Sequence, residues 1–252
     1  MTMSDVLLDV LAFGAHPDDC EFFLGGTLLR MKSLSYKVGI CDLTRGEAGT
    51  YGDANTRKQE LDRATAILGL DVREILDFID GSIRDSEEYR LQIIEVIRRY
   101  RPELVFSFAD IDLRHPDHHY CGKMVRECCF LAGIQKIKTE SPAFRPSAFI
   151  GFPELTFDKP TFVVDVTDVW EKRMEAIRCF HSQVLQTEED DRHTKTFIRS
   201  KSFWDLQEAR GTMAGALIGT RYGEPFYSSL PPQLVDPMQA FRKNVNWQGR
   251  RT

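Results

Sequence analysis

Two short runs concentrate the side chains that could do chemistry. The first is Ala15-His16-Pro17-Asp18-Asp19, and the second is Arg114-His115-Pro116-Asp117-His118-His119. A histidine beside two adjacent carboxylates is costly to bury without a cation. A metal ion removes that cost, and histidine with carboxylate on a turn suits zinc, at bond lengths of about 2.0–2.2 Å. Alone, this run also reads as a polar turn capping the next helix. The second run packs three histidines into five residues, in a chain with six. Metal binding, acid–base catalysis and a polar helix start all fit it.

Together the two runs narrow the chemistry. A catalytic zinc usually takes three protein ligands and keeps one position for water. His16, Asp19 and His118 form the best such set. Asp18 is then free to act as general base on the water, and His115 stands near as an electrophilic group or acid. The ion would bring the pKa of that water to about 7, which makes a nucleophile available near neutrality. The same ligands accept other divalent ions.

Elements must bring the runs together. Residues 6–15 and 38–43 are apolar runs that read as buried strands, and 74–79 and 104–108 as further strands. Residues 24–34, 57–68, 87–100 and 118–131 read as helices, with Gly69 ending the second and Pro102 just past the third. This alternation predicts an α/β fold, Rossmann-like and three-layered, with a mostly parallel sheet and helices on both faces. Both runs then follow strands and lie on one sheet edge, where open α/β sheets bind ligands.

The second half is less regular. Strands are expected at 147–151 and 161–166, and helices at 169–180 and 200–216. Residues 187–195 (TEEDDRHTK) read as a solvated loop. We expect one domain over 1–229 and a tail over 230–252, which carries Pro231, Pro232 and Pro237.

Composition removes several function classes. A net charge of −5 gives no electrostatic argument for nucleic acid or anionic membrane. No run approaches the roughly 20 apolar residues that span a bilayer. The opening MTMSDVLLD lacks the pattern of a signal peptide, and six cysteines without a C-x-x-C pair suggest reduced thiols. The expected location is cytoplasmic.

The run AHPDDCEFFLGGT (15–27) resembles the opening signature of the PIG-L/LmbE family of zinc-dependent N-acetylglucosamine deacetylases, and HPDH (115–118) resembles its second signature. TRGEAGTYGDANTRKQE (44–60) and RYGEPF (221–226) are most similar to the family's N-acetylglucosaminyl-malate deacetylases of bacillithiol biosynthesis. The resemblance implies one zinc per chain on His16, Asp19 and His118, and Asp18 as base. It implies His115 as the group that polarises the amide carbonyl, with Asp117 orienting or tuning it. It further implies Arg57 as a sugar contact, an amino-sugar substrate and a homo-oligomer. Some relatives place a tyrosine just before the second signature to bind the oxyanion. Here Leu113 and Arg114 stand there, and Tyr222 is a candidate substitute.

Other residues read two ways. Glu47 suits a sugar hydroxyl or a loop-stabilising carboxylate, and Arg57 suits substrate or a pair with Glu60 on its helix. His119, His181 and Cys20 read as surface, helix-end and core residues. Gly25 and Gly26 lack the G-x-G-x-x-G spacing of a dinucleotide site. Two rivals remain. Asp117-His118-His119 also spells the D-H-H string of a two-metal phosphoesterase, although the early motif lacks D-x-D. A non-catalytic zinc- and sugar-binding protein is the other, and it leaves Asp18 without a purpose.

Overall fold

The computed structural model describes residues 6–110, 114–184 and 196–241. A seven-stranded sheet has the order β3-β2-β1-β4-β5-β7-β6. The strands are β1 (Val10–Gly14), β2 (Val38–Asp42), β3 (Val72–Ile75), β4 (Leu104–Phe108), β5 (Ala148–Phe152), β6 (Phe162–Asp165) and β7 (Gly223–Ser228). The helices are α1 (Asp19–Ser33), α2 (Ala54–Leu68), α3 (Glu87–Tyr100), α4 (Pro116–Leu131), α5 (Trp170–Arg178), α6 (His181–Val184), α7 (Lys201–Ile218) and α8 (Pro237–Phe241). The α/β expectation holds, and β3, β2, β1, β4 and β5 pair in parallel.

β1 and β2 are buried throughout, which is why they read as unbroken apolar runs. α3 starts on Ser86, whose side chain accepts from Tyr89 N–H, and ends at Arg101 before Pro102. α2 ends on Gly69 at φ 68°, a left-handed cap that suits glycine. All six cysteines are free and buried. Among the described residues no helix is long and apolar enough to cross a membrane.

Strand order decides where chemistry can sit. From β1 the chain moves outward to β2 and β3, then returns to place β4 on the other side of β1. The pair β1–β4, in register from Val10↔Leu104 to Ala12↔Phe106, is the point where the order reverses. Crevices form at such switch points, beyond the carboxyl ends of the strands. Both chemical runs leave these two strands.

Several boundaries differ from expectation, and one strand was not expected. α1 starts at Asp19 rather than residue 24, so Asp19 belongs to its first turn. α2 starts at Ala54, where Asp53 caps Thr56 N–H. β3 ends at Ile75 rather than residue 79, so 76–81 form a loop at the sheet edge. β7 escapes the sequence pattern because Pro225 interrupts it and supplies no N–H. It runs antiparallel to both β5 and β6. The 187–195 cluster and residues 242–252 lie outside the described residues.

Two glycines permit close approaches that set the site. A Cβ on Gly122 would stand 2.3 Å from the Phe108 carbonyl oxygen, so its absence lets α4 lie against the end of β4. A Cβ on Gly26 would meet Glu224 Oε1 and Val166, each at 2.9 Å. There Glu224 reaches α1 and accepts from Gly26 N and Thr27 N, at 2.9 and 2.7 Å. Its charge is balanced by buried Arg173 at 2.9 Å. We predict that Gly122→Ala costs about 1–3 kcal/mol, because backbone must move to admit the methyl. The midpoint of urea unfolding measures this, and an unchanged midpoint would contradict the packing.

Candidate metal centre and pocket

β1 ends at Gly14, and the turn 15–18 delivers His16, Asp18 and Asp19 to the sheet edge. His16 N–H donates to Asp19 Oδ2 at 2.8 Å, which ties the turn to the first turn of α1. Asp18 stands at the helix N-cap with φ 134° and makes no side-chain cap bond, so its carboxylate is not used by the helix. This φ is costly for a non-glycine residue and is held by its surroundings. Arg57 contributes by donating from Nη2 to the Pro17 carbonyl at 3.2 Å.

α4 supplies the second half. Pro116 sits in its first turn, and His115 is its N-cap, with Nδ1 accepting from Asp117 N–H at 3.2 Å. An accepting Nδ1 leaves the proton of the neutral ring on Nε2. His118 lies one turn in, its ring stacked on Phe108 at 4.1 Å and 12°.

Three ligand atoms converge. His118 Nε2 is 3.3 Å from His16 Nδ1 and 3.2 Å from Asp19 Oδ1, and His16 Nδ1 is 3.5 Å from Asp19 Oδ2. Ligands at about 2.0–2.1 Å on a tetrahedron stand about 3.3–3.4 Å apart. The three residues are therefore spaced for a zinc-sized site, with a different Asp19 oxygen facing each histidine, and the facing atoms are nitrogen and oxygen as zinc prefers. A second cluster, His16, His115 and Asp117, shares His16 with the first.

The outer nitrogens of both histidines face carboxylates, of which Asp80 and Glu154 were missed by sequence reasoning. His16 Nε2 lies 3.1 Å from Asp80 Oδ1 and 3.4 Å from Asp117 Oδ2. His118 Nδ1 lies 3.0 Å from Glu154 Oε2. A carboxylate behind a ligating imidazole fixes its tautomer and raises its basicity. Asp80 sits in the loop after β3 and Glu154 just after β5, both on the edge that carries the two runs. That position was the available signal.

Asp117 has partners beyond His115. Its carboxylate accepts from Gly81 N at 2.7 Å and Ile83 N at 3.1 Å, and it approaches His16. Its backbone N–H donates to the His115 ring, and its charge acts to raise the His115 pKa.

The electrostatics suit a cation. Burial acts to lower the His118 pKa, but Asp19 and Glu154 outweigh it and raise it to about 9. His16 is likewise raised against burial by Asp117, Asp19 and Asp80. Burial acts to raise Asp19, yet the two histidines hold it well below the usual carboxylate range. Asp18 is pushed up, chiefly by burial and opposed by Arg57. His115 is lowered by burial and by the cationic forms of His16 and His118, which favours its neutral ring.

The cluster forms one wall of a pocket. Phe22 and Phe23 from α1 and Phe203 and Leu206 from α7 form an apolar wall, and Arg57, Arg114 and Gln183 also line the space. Arg57 is buried, with Nη1 3.8 Å from Asp18 Oδ2. It does not pair with Glu60, which accepts from Ser182 instead. Glu47 is exposed and accepts from Asp80 N and Arg45 N, at 3.0 and 3.2 Å, so its carboxylate braces the loop that carries Asp80. Tyr222 is not at the pocket. Its ring stacks on Trp170 at 4.1 Å and its hydroxyl donates to Glu208 at 2.6 Å, and it is not among the residues that line the pocket. It does not replace the missing tyrosine. Leu113 lies outside the described residues.

The chain is similar to several known proteins. The model of the PIG-L family, described as GlcNAc-PI de-N-acetylase, matches residues 11–129. Diacetylchitobiose deacetylase of Thermococcus kodakarensis is 32% identical over 186 residues, 69% of each chain. A probable N-acetyl-alpha-D-glucosaminyl L-malate deacetylase 2 of Bacillus anthracis is 29% identical over 77% of this chain and 93% of its own. A 4-oxalmesaconate hydratase of Pseudomonas putida is 27% identical over 69% of this chain and 73% of its own. Among solved structures, the conserved protein TT1542 from Thermus thermophilus superposes with a TM-score of 0.82 at 34% identity, covering 91% of this chain and 98% of its own.

The placement of Tyr222 yields a prediction. Tyr222→Phe removes one hydrogen bond and costs about 1 kcal/mol of stability, while kcat/KM stays at the wild-type value. A large fall in kcat at unchanged folding would return Tyr222 to the site.

Proposed function

The chain belongs to the PIG-L family, and on that premise we propose that it is a zinc-dependent N-deacetylase acting on an N-acetylglucosamine conjugate. It hydrolyses the acetyl amide and releases acetate and the free amine. The observation that carries this reading is the triangle of His16 Nδ1, Asp19 and His118 Nε2, with Asp18 free beside it and His115 presenting an N–H.

His16, Asp19 and His118 would hold the ion. When bound, it supplies Lewis acidity, which lowers the pKa of a water and polarises a carbonyl. Asp18 takes the proton of the attacking water, and its release from helix capping leaves both oxygens available for that work. His115 Nε2–H donates to the carbonyl oxygen as negative charge develops there, a contribution of about 3–4 kcal/mol for one good donor. The proton held by Asp18 then passes to the leaving amine. Arg57 holds the 17–18 turn in place and, with Nε and Nη1 making no hydrogen bond, offers further donors to the sugar.

The likeness to malate deacetylases over 77% of the chain supports N-acetylglucosaminyl malate as substrate, and hence a step of bacillithiol biosynthesis. A two-metal phosphoesterase is less well supported. Its second ion would have to share His16, and Asp117 is already committed to two backbone N–H groups.

Acetate release from N-acetylglucosaminyl malate and from diacetylchitobiose, with and without a chelator, tests the reading. We expect hydrolysis that stops on metal removal and returns with zinc. Activity that survives complete metal removal would refute the mechanism. Hydration of an unsaturated acid without acetate release would point to the chemistry of the hydratase relative. We also expect Asp18→Asn to keep its metal and lose about 10²–10⁴-fold in kcat. Wild-type turnover in that variant would remove Asp18 as base.

A further inference from the structure

Glu154 touches more than one part of the site. It is 1% exposed, just past the end of β5, and comes from a segment far in sequence from both chemical runs. Its Oε2 lies 3.0 Å from His118 Nδ1 and also accepts from Arg114 N–H at 2.7 Å. Its Oε1 lies 3.5 Å from Arg114 Nε. The Arg114 guanidinium is half-exposed and stands 5.3 Å over the ring of Phe197, which also lines the pocket. Arg210, buried, donates from Nη2 to the Pro153 carbonyl at 2.7 Å and so fixes the backbone that presents Glu154.

We propose that Glu154 is a positioning residue with two clients, one on the metal and one on the substrate. Toward His118 its charge stands 3.0 Å from Nδ1 and favours the tautomer with the proton on that atom, which leaves the Nε2 lone pair free for the ion. The ring plane is already set by stacking on Phe108, so the carboxylate needs only to choose the tautomer. Toward Arg114 it grips both the backbone and the side chain. The guanidinium is thereby held at the mouth of the pocket, where it meets the part of the substrate beyond the acetamide. Glu154 touches neither the reacting atoms nor the aglycone. It joins the metal site to the recognition site through a single buried carboxylate. The two histidines are not served alike in this respect. Asp80, which faces His16, takes its other bonds from the 45–49 loop and from no pocket-mouth cation.

The proposal rests on His118 as a metal ligand, so the test carries that residue as a reference. Zinc affinity is measured by chelator competition on the full chain, and kcat and KM on zinc-saturated enzyme with N-acetylglucosaminyl malate. Glu154→Gln should loosen zinc by about 10–100-fold and raise KM as well. Arg114→Ala should raise KM and leave zinc affinity unchanged. The double variant should raise KM no further than the larger single effect, because both act through one contact. Wild-type zinc affinity in Glu154→Gln, while His118→Ala loses its zinc, would overturn the proposal. So would KM effects that multiply. Wild-type zinc affinity in His118→Ala would instead defeat the ligand assignment, and this proposal with it. Should Glu154→Ala fail to fold, the isosteric Gln variant still carries the test.

Discussion

Five carboxylates, from Asp18, Asp19, Asp80, Asp117 and Glu154, crowd the end of the β1–β4 pair, and each side chain is less than a tenth exposed. Such a concentration of buried negative charge is stable only when cations and hydrogen bonds answer it. The structure answers in three ways. Backbone N–H groups take up Asp117 and part of Asp80, Asp19 and Glu154. Arg57 and Arg114 approach Asp18 and Glu154. The two inner histidines then take what remains, and the divalent ion that fits between them and Asp19 would balance it.

The scaffold serves that arrangement. The reversal of strand order brings two runs nearly a hundred residues apart onto neighbouring strands. Gly122 lets α4 lie close enough for His118 to reach across to His16. The less regular C-terminal half closes the pocket with α7 and grips α1 through the Arg173–Glu224 pair. Arg173 also donates to Gln207, which lines the pocket, so the latch and the pocket wall are continuous. Removing one partner of a buried pair of this kind typically costs about 3–5 kcal/mol, since the other charge is left uncompensated.

Much of this was legible before any coordinates. Dense local clusters such as His16-Pro17-Asp18-Asp19 announce themselves, and buried parallel strands read as apolar runs because both faces are covered. Asp80 and Glu154 were not legible. Each is a lone carboxylate in a loop, and its meaning appears only when β3 ends early and β5 runs beside β4. Glu47 read equally well as a sugar contact or a loop brace, and its two backbone bonds decide for the brace. Tyr222 was not placeable from sequence because its ring and hydroxyl are held by Trp170 and Glu208, distant in sequence from both runs. Asp117 was placed near His115 correctly, yet its carboxylate turned to the neighbouring loop.

The central claim is that His16, Asp19 and His118 form one zinc site with room for a water. X-ray absorption at the zinc edge of the zinc-loaded chain tests it most directly. We expect one ion per chain, with two imidazole nitrogens and oxygen donors at about 2.0–2.2 Å and no sulfur. An ion bound through a cysteine, or one lacking two imidazoles, would contradict it.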